Sequence, residues 1–237
     1  MNEISYKSTA RATGILYVII ILCAGFAEGY VRSGLIMPGD AAATARNILD
    51  SESLYRFGLV SDLVAFMSDA AVSILFYFLL KPVSKTLALV AASLRLLAHP
   101  AIAGINLLNH FFPLLLLNGS DYLGVFGSEQ LNALVMLFLD VHHTGYLIAG
   151  AFFGVHLFIL GYLLFRSELF PGILGILIVI ASAGYVTESF GTVLVPAYAQ
   201  LFAWMVGITA VLGEVPLALY LLIKGVKDQP QDETAKI

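Results

Sequence analysis

Charge is what this chain has least of. Only 12% of its 237 residues are Asp, Glu, Lys or Arg, against roughly 25% in soluble domains. A soluble globular protein is thereby excluded. The 12 basic and 16 acidic residues leave a net charge of −4, and no basic block exists, which argues against nucleic acid as a partner. Cysteine is nearly absent. Cys23 stands alone, so neither an intrachain disulfide nor a thiolate metal cage can form. No long polar segment interrupts the chain, so residues 1–227 are expected to form a single transmembrane helical domain, with residues 228–237 as a polar cytoplasmic tail.

What fills the sequence instead is apolar: 59% of residues are hydrophobic, gathered into long runs. A helix needs about 20 residues to cross the hydrocarbon core. On that length the chain reads as an all-α polytopic bundle of six spans. They lie near Ala12–Ile36, Phe57–Leu80, Thr86–Leu116, within Ser128–Phe165, Pro171–Val193 and Tyr198–Ile223. The fourth stretch is too long for one upright crossing, so it tilts or begins as an outer helix. Pro100, Pro113 and Pro216 are expected to kink the spans that hold them. The first run, preceded by Lys7 and Arg11, reads as an uncleaved signal anchor rather than a cleaved signal peptide.

Lys7, Arg11, Lys81, Lys85, Arg166, Lys224 and Lys227 fall at one end of a six-span bundle. The positive-inside rule then puts both termini in the cytoplasm. Between the first two spans, Asp40 is a good N-cap for a short helix over 41–49. Asn118 to Asp121 reads as a turn. Trp204 and Tyr198 suit the aromatic belt of the outer interface.

Several segments together carry a resemblance. They are Arg11-Ala-Thr-Gly14-Ile-Leu-Tyr17, Gly39-Asp40-Ala41 through Thr44-Ala45-Arg46-Asn47-Ile48, and Tyr55-Arg56-Phe57-Gly58 with Asp62 and Asp69 after it. Leu80-Lys81-Pro82-Val83, Gly161-Tyr162-Leu163 and Pro171-Gly172-Ile173-Leu174-Gly175 complete the set. In this order the chain resembles the bacterial domain of unknown function 4386 family. The resemblance implies a multi-pass protein of the prokaryotic inner membrane, with about six helices. It implies no activity, so the chemistry rests on the residues.

Ionisable residues inside the apolar runs are the strongest functional signal, because each costs several kcal/mol in hydrocarbon unless paired, solvated or used. At 1.5 Å of rise per residue, Asp69, Arg95, His156 and Glu214 lie roughly 13–17 Å from the basic ends, and His99 roughly 20 Å. Glu28, Asp62 and Glu188 form a second layer at roughly 24–27 Å. On helical rotation, Arg95, His99, Asn106 and His110 share a face, as do Asp62, Asp69 and Ser73. A ligand or ion-pair cluster of Asp69, Arg95, His99, His156 and Glu214 is therefore expected. An outer polar layer of Glu28, Arg32, Asp62, Asn106 and Glu188 should lie beyond it.

Four readings are open. Arg95 pairs with Asp69, Glu214 or both and locks the helices together. The cluster binds or transports a small ligand or protons; six spans are few for a monomeric carrier, which leaves room for a homodimer. A zinc hydrolase uses His99, His156 and one acid. A partner or haem is bound. The absence of a His-x-x-x-His pair turns the balance away from an enzyme, and no metal and no cofactor is expected. Glu28 and Arg32, one turn apart, should form an intrahelical pair. His142 and His143 cannot face one direction and are expected at the outer interface, with at most one entering the bundle. If a shared cavity exists, it should open outward with Asn106 and His110 near its mouth.

Overall fold

The computed structural model describes residues 6–119 and 121–227, and the 228–237 tail lies outside them. All regular structure among the described residues is helical. Six helices are long and apolar enough to cross a membrane: α1 (Tyr6–Leu35), α3 (Glu52–Leu80), α4 (Lys85–Leu117), α5 (Ser128–Arg166), α6 (Gly172–Leu194) and α7 (Pro196–Ile223). Between α1 and α3 lies the short α2 (Ala41–Asp50). The Asp40 side chain accepts from the Ala43 N–H at 2.8 Å, the N-cap that its position suggests.

The long helices form a closed ring in chain order: α1 packs on α3, α3 on α4, α4 on α5, α5 on α6, α6 on α7, and α7 returns to α1. The interior near the basic ends is filled by Tyr17, Val72, Leu79, Phe153, Leu157, Leu160 and Leu217, all fully or almost fully buried. Large apolar side chains elsewhere point outward, as in Leu22, Met67, Ile105, Phe158 and Val211. A soluble protein would not expose them; a bilayer solvates them.

Three features differ in detail from the periodicity. The fourth span is one unbroken helix of 39 residues, about 58 Å long and roughly twice the thickness of the hydrocarbon core. Its first turns pack with Leu114, Leu116, Leu123, Ile48 and Tyr55 in a second core beside α2, which supports them beyond a single crossing. Pro100 sits inside a π-helical turn, Leu97–Ala103, which accommodates the missing proline N–H without ending α4. A second π-helical turn, Ala27–Arg32, occupies α1.

α5 and α6 approach closely through glycine. A Cβ on Gly161 would stand 2.7 Å from the Gly175 carbonyl oxygen, and one on Gly175 would strike the Gly161 carbonyl and the Phe165 backbone. Ser182 donates to the Gly154 carbonyl at 2.7 Å across the same interface. Small residues replace the missing hydrophobic drive between membrane helices by close contact. Gly175→Leu should force these backbones apart and cost about 1–3 kcal/mol, read as a lower midpoint of thermal unfolding in detergent. Gly207→Leu, where a Cβ meets open space, should not lower it.

Candidate functional site

Arg95 is the largest fully buried side chain among the described residues. Its Nε and Nη2 donate to Asp69 Oδ1 at 2.9 and 2.5 Å. Its guanidinium lies over the rings of Tyr17 and Phe153, at 4.9 and 5.1 Å from their centroids. The remaining Nη1 stands 3.2 Å from His156 Nε2, while His156 Nδ1 stands 2.8 Å from the Ala91 carbonyl. A carbonyl only accepts, so the proton of neutral His156 belongs on Nδ1 and its Nε2 lone pair faces Arg95. Asp69 Oδ2 takes the Nδ1 of His99 at 3.1 Å. His99 packs on Phe66 and Phe153, yet 19% of its side chain stays accessible.

The chain sets this geometry locally. Asp69 and Ser73 are one turn apart on α3, and Ser73 donates to the Ala92 carbonyl of α4 at 2.7 Å. That bond aligns α3 with α4 beside the Asp69–Arg95 contact. The π-helical turn at Leu97–Ala103 carries His99 itself; such turns recur at functional sites.

Glu214, on α7, does not bond Arg95. Its two carboxylate oxygens accept from Tyr17 and Tyr185, each at 2.8 Å. Glu214 therefore reaches the arginine only through the Tyr17 ring. Sequence reasoning misses both tyrosines, because a phenol inside an apolar run looks like packing.

A second cluster lies toward the α2 end. Arg32 Nε donates to Glu28 at 2.6 Å, the intrahelical pair expected from their spacing. Its Nη1 donates to Asp62 Oδ2 at 2.5 Å and stands 3.5 Å from His110 Nδ1. The guanidinium lies 5.6 Å from the centroid of the Tyr146 ring. Glu28 and Arg32 both belong to the π-helical turn Ala27–Arg32. Glu188 is half-buried on α6 and joins none of these bonds.

Two residues differ from their expected places. His142 enters the bundle and is only 3% exposed, while His143 faces outward. The cause is a reciprocal pairing of α4 with α5: Asn106 Nδ2 donates to the His142 carbonyl at 2.7 Å, and His142 Nδ1 stands 3.1 Å from the Asn106 carbonyl. The same pairing closes Asn106 away at 6% exposure, so it does not stand at an open mouth. The acids Asp62 and Asp69 meet arginines directly. Two cavities, of about 270 and 480 Å³, lie away from both acids. One is on the α5–α6 face beside Phe152 and Phe190, and the other is at the basic end beside Lys7, Arg11 and Lys224.

The two clusters are built alike. α3 supplies Asp62 to one and Asp69 to the other, α4 supplies His110 and His99, and α5 supplies His142 and His156. These spacings of 7, 11 and 14 residues all return to within about 40° of the starting face of a helix. Each set has its own arginine. Between them lies an apolar layer of Ala65, Phe66, Ala103, Leu107 and Ala149, flanked by Cys23, Ile102 and Tyr146. Toward metals the two differ. His156 has both ring nitrogens engaged and Arg95 beside it, whereas Asp62, His110 and His142 each offer a ligand atom within 4.8 Å of the others.

Residues 12–225 match the family described as Domain of unknown function (DUF4386). The chain belongs to this family. It is 30% identical over 171 residues to an uncharacterized protein of Archaeoglobus fulgidus, a match that covers 72% of this chain and 85% of that protein. No solved structure matches. Family membership and six apolar helices make this an integral membrane protein with several membrane-spanning helices.

Breaking the deep pair separates its parts. Arg95→Leu leaves the buried Asp69 with His99 alone and without its guanidinium, and should cost about 3–5 kcal/mol, seen as loss of monodisperse protein in detergent. Adding Asp69→Leu to Arg95→Leu should restore part of that loss. A double variant no more stable than the single would show that Asp69 is not the partner that matters.

Proposed function

We propose that this protein holds and passes a small charged species, a proton or a small ion, between two stations in its membrane interior. One observation carries the reading: three helices each supply an ionisable side chain to both clusters. A single buried ion pair suffices to lock helices, and a second set at matching positions on the same faces adds nothing to that role. Charged groups are costly in a bilayer, and those retained there commonly line proton or ion paths. His99 supports a proton in particular. It bonds Asp69 through Nδ1 and keeps a partly accessible edge, so its ring can pass a proton between Asp69 and whatever that edge meets.

In this reading the protein resides in the plasma membrane of a prokaryotic cell with both termini cytoplasmic, an orientation that the basic residues at alternate span ends support. A reporter fused after Lys227 should be active only on the cytoplasmic side. Activity on the opposite face would reverse the direction assigned to the two stations.

The competing reading is structural, and the completeness of the Arg95 contacts favours it: every nitrogen of its guanidinium has a partner. Flux separates the two. Purified protein in liposomes loaded with a pH-sensitive dye should acidify or alkalinise the lumen under an imposed potassium diffusion potential. Asp69→Asn and His99→Gln should reduce the signal to that of empty liposomes, and Glu129→Gln, at an exposed position, should not. Folded wild-type protein that gives no flux with protons or with monovalent or divalent cations would leave the pairs as helix locks.

A further inference from the structure

The Arg32 cluster contains two buried nitrogens with nothing to bond. His110 is fully buried and His142 nearly so, and the Nε2 of each lacks a hydrogen-bond partner. Buried polar atoms are almost always satisfied, and an unpaired one costs about 1–3 kcal/mol. Two orphans on adjacent rings, whose centroids are 4.9 Å apart, point to a shared missing partner.

The bonding of His142 says what that partner accepts from it. Its Nδ1 faces the Asn106 carbonyl, which only accepts, so Nδ1 carries the proton and Nε2 presents a lone pair. A backbone carbonyl on one imidazole nitrogen, with the other free, is the usual support of a metal-ligating histidine. His142 belongs to a group with Asp62 and His110 in which one ligand atom of each residue lies within 4.8 Å of the others. Ligands about 2.0–2.1 Å from a tetrahedral zinc stand about 3.3 Å apart, a closure of roughly 1–1.5 Å that side-chain rotation supplies.

We propose that Asp62, His110 and His142 bind one divalent transition-metal ion of the zinc, cobalt or nickel class. Two imidazoles and one carboxylate suit these ions rather than calcium or magnesium, which prefer all-oxygen shells. The proposal deepens the two-station reading by giving the ion held at one station, and it rests on that reading for transport but not for binding.

Arg32 is built into the same site as the competing cation. Without metal its Nη1 holds Asp62, while its Nε already holds Glu28 at 2.6 Å. The Glu28 side chain is 70% exposed, so the guanidinium keeps an acid partner at the edge of the packed interior. An arriving ion takes the carboxylate of Asp62, and Arg32 stays with Glu28. His110 then loses the guanidinium beside its Nδ1, so the ring has one nitrogen for its proton and the other for the metal. Binding and Arg32 release are thus two states of one exchange.

The test uses the full chain, freed of any histidine tag and stripped with chelator, titrated with cobalt(II) in detergent. One equivalent should bind, with visible d–d absorption of a low-coordinate nitrogen–oxygen shell. Asp62→Asn and His142→Gln should weaken binding by at least about 10-fold, and His143→Gln, whose side chain faces outward, should not. Arg32→Gln should tighten it by removing the competitor, which adventitious surface binding would not do. X-ray absorption of the zinc-loaded wild type, which needs no variant to fold, should show imidazole scattering. No saturable binding by the wild type, binding that neither Asp62→Asn nor His142→Gln weakens, or a zinc shell without imidazole would overturn the proposal. Metal binding without liposome flux would keep the site and remove the transport reading; proton flux without metal binding would do the reverse.

Discussion

The contact between Arg95 and Asp69 constrains everything around it. A guanidinium with no exposure in a membrane interior must have each of its nitrogens met, because an unpaired charge there costs several kcal/mol. Asp69 meets two of them, His156 the third, and the rings of Tyr17 and Phe153 cover its faces. Those partners come from α1, α3 and α5, so one side chain on α4 fixes the relative positions of four helices. The Ser73–Ala92 and His156–Ala91 bonds then serve as its supports, holding the carboxylate and the imidazole at the right height.

The Arg32 cluster shows what the deep pair would look like with less support. Its arginine is shared between a buried and an exposed acid, and its two histidines keep orphan nitrogens. One cluster is saturated and the other is open. The apolar layer of Phe66, Ala103, Leu107 and Ala149 between them keeps the two from merging into one network. Both π-helical turns carry residues of these clusters, Glu28 and Arg32 in one and His99 in the other. The extra residue in such a turn rotates the next stretch of helix about its axis.

Much of the architecture is legible in the sequence because bilayer thickness demands a fixed length of apolar residues. Six spans, the Asp40 cap and the Glu28–Arg32 pair all come from spacing alone. Equal depth on polar faces also puts Asp69 among the partners of Arg95, beside Glu214, without choosing between them. The rest depends on tertiary contacts that spacing does not carry. Glu214 shares the depth of Arg95, yet two tyrosine hydroxyls satisfy it first, and phenols in apolar runs give no periodic signal. His142 reads as interfacial because its neighbour His143 shares its chemistry; the 14-residue step to His156, which keeps both on one face, is the clue that places it inside. The π-helical turns leave only Pro100 as a trace.

The length of α5 has a mechanical consequence. It is one uninterrupted rod, and it carries both His142 and His156, 14 residues and about 21 Å apart. Any piston-like shift of that rod would displace both imidazoles together. A machine that must open one compartment while the other stays shut cannot use it as the moving part. In such a machine the moving parts would be the helices interrupted by π-helical turns, α1 at Ala27–Arg32 and α4 at Leu97–Ala103. In that division of labour α5 is the fixed frame, clamped to α6 through Gly161 and Gly175, against which the other two helices would flex.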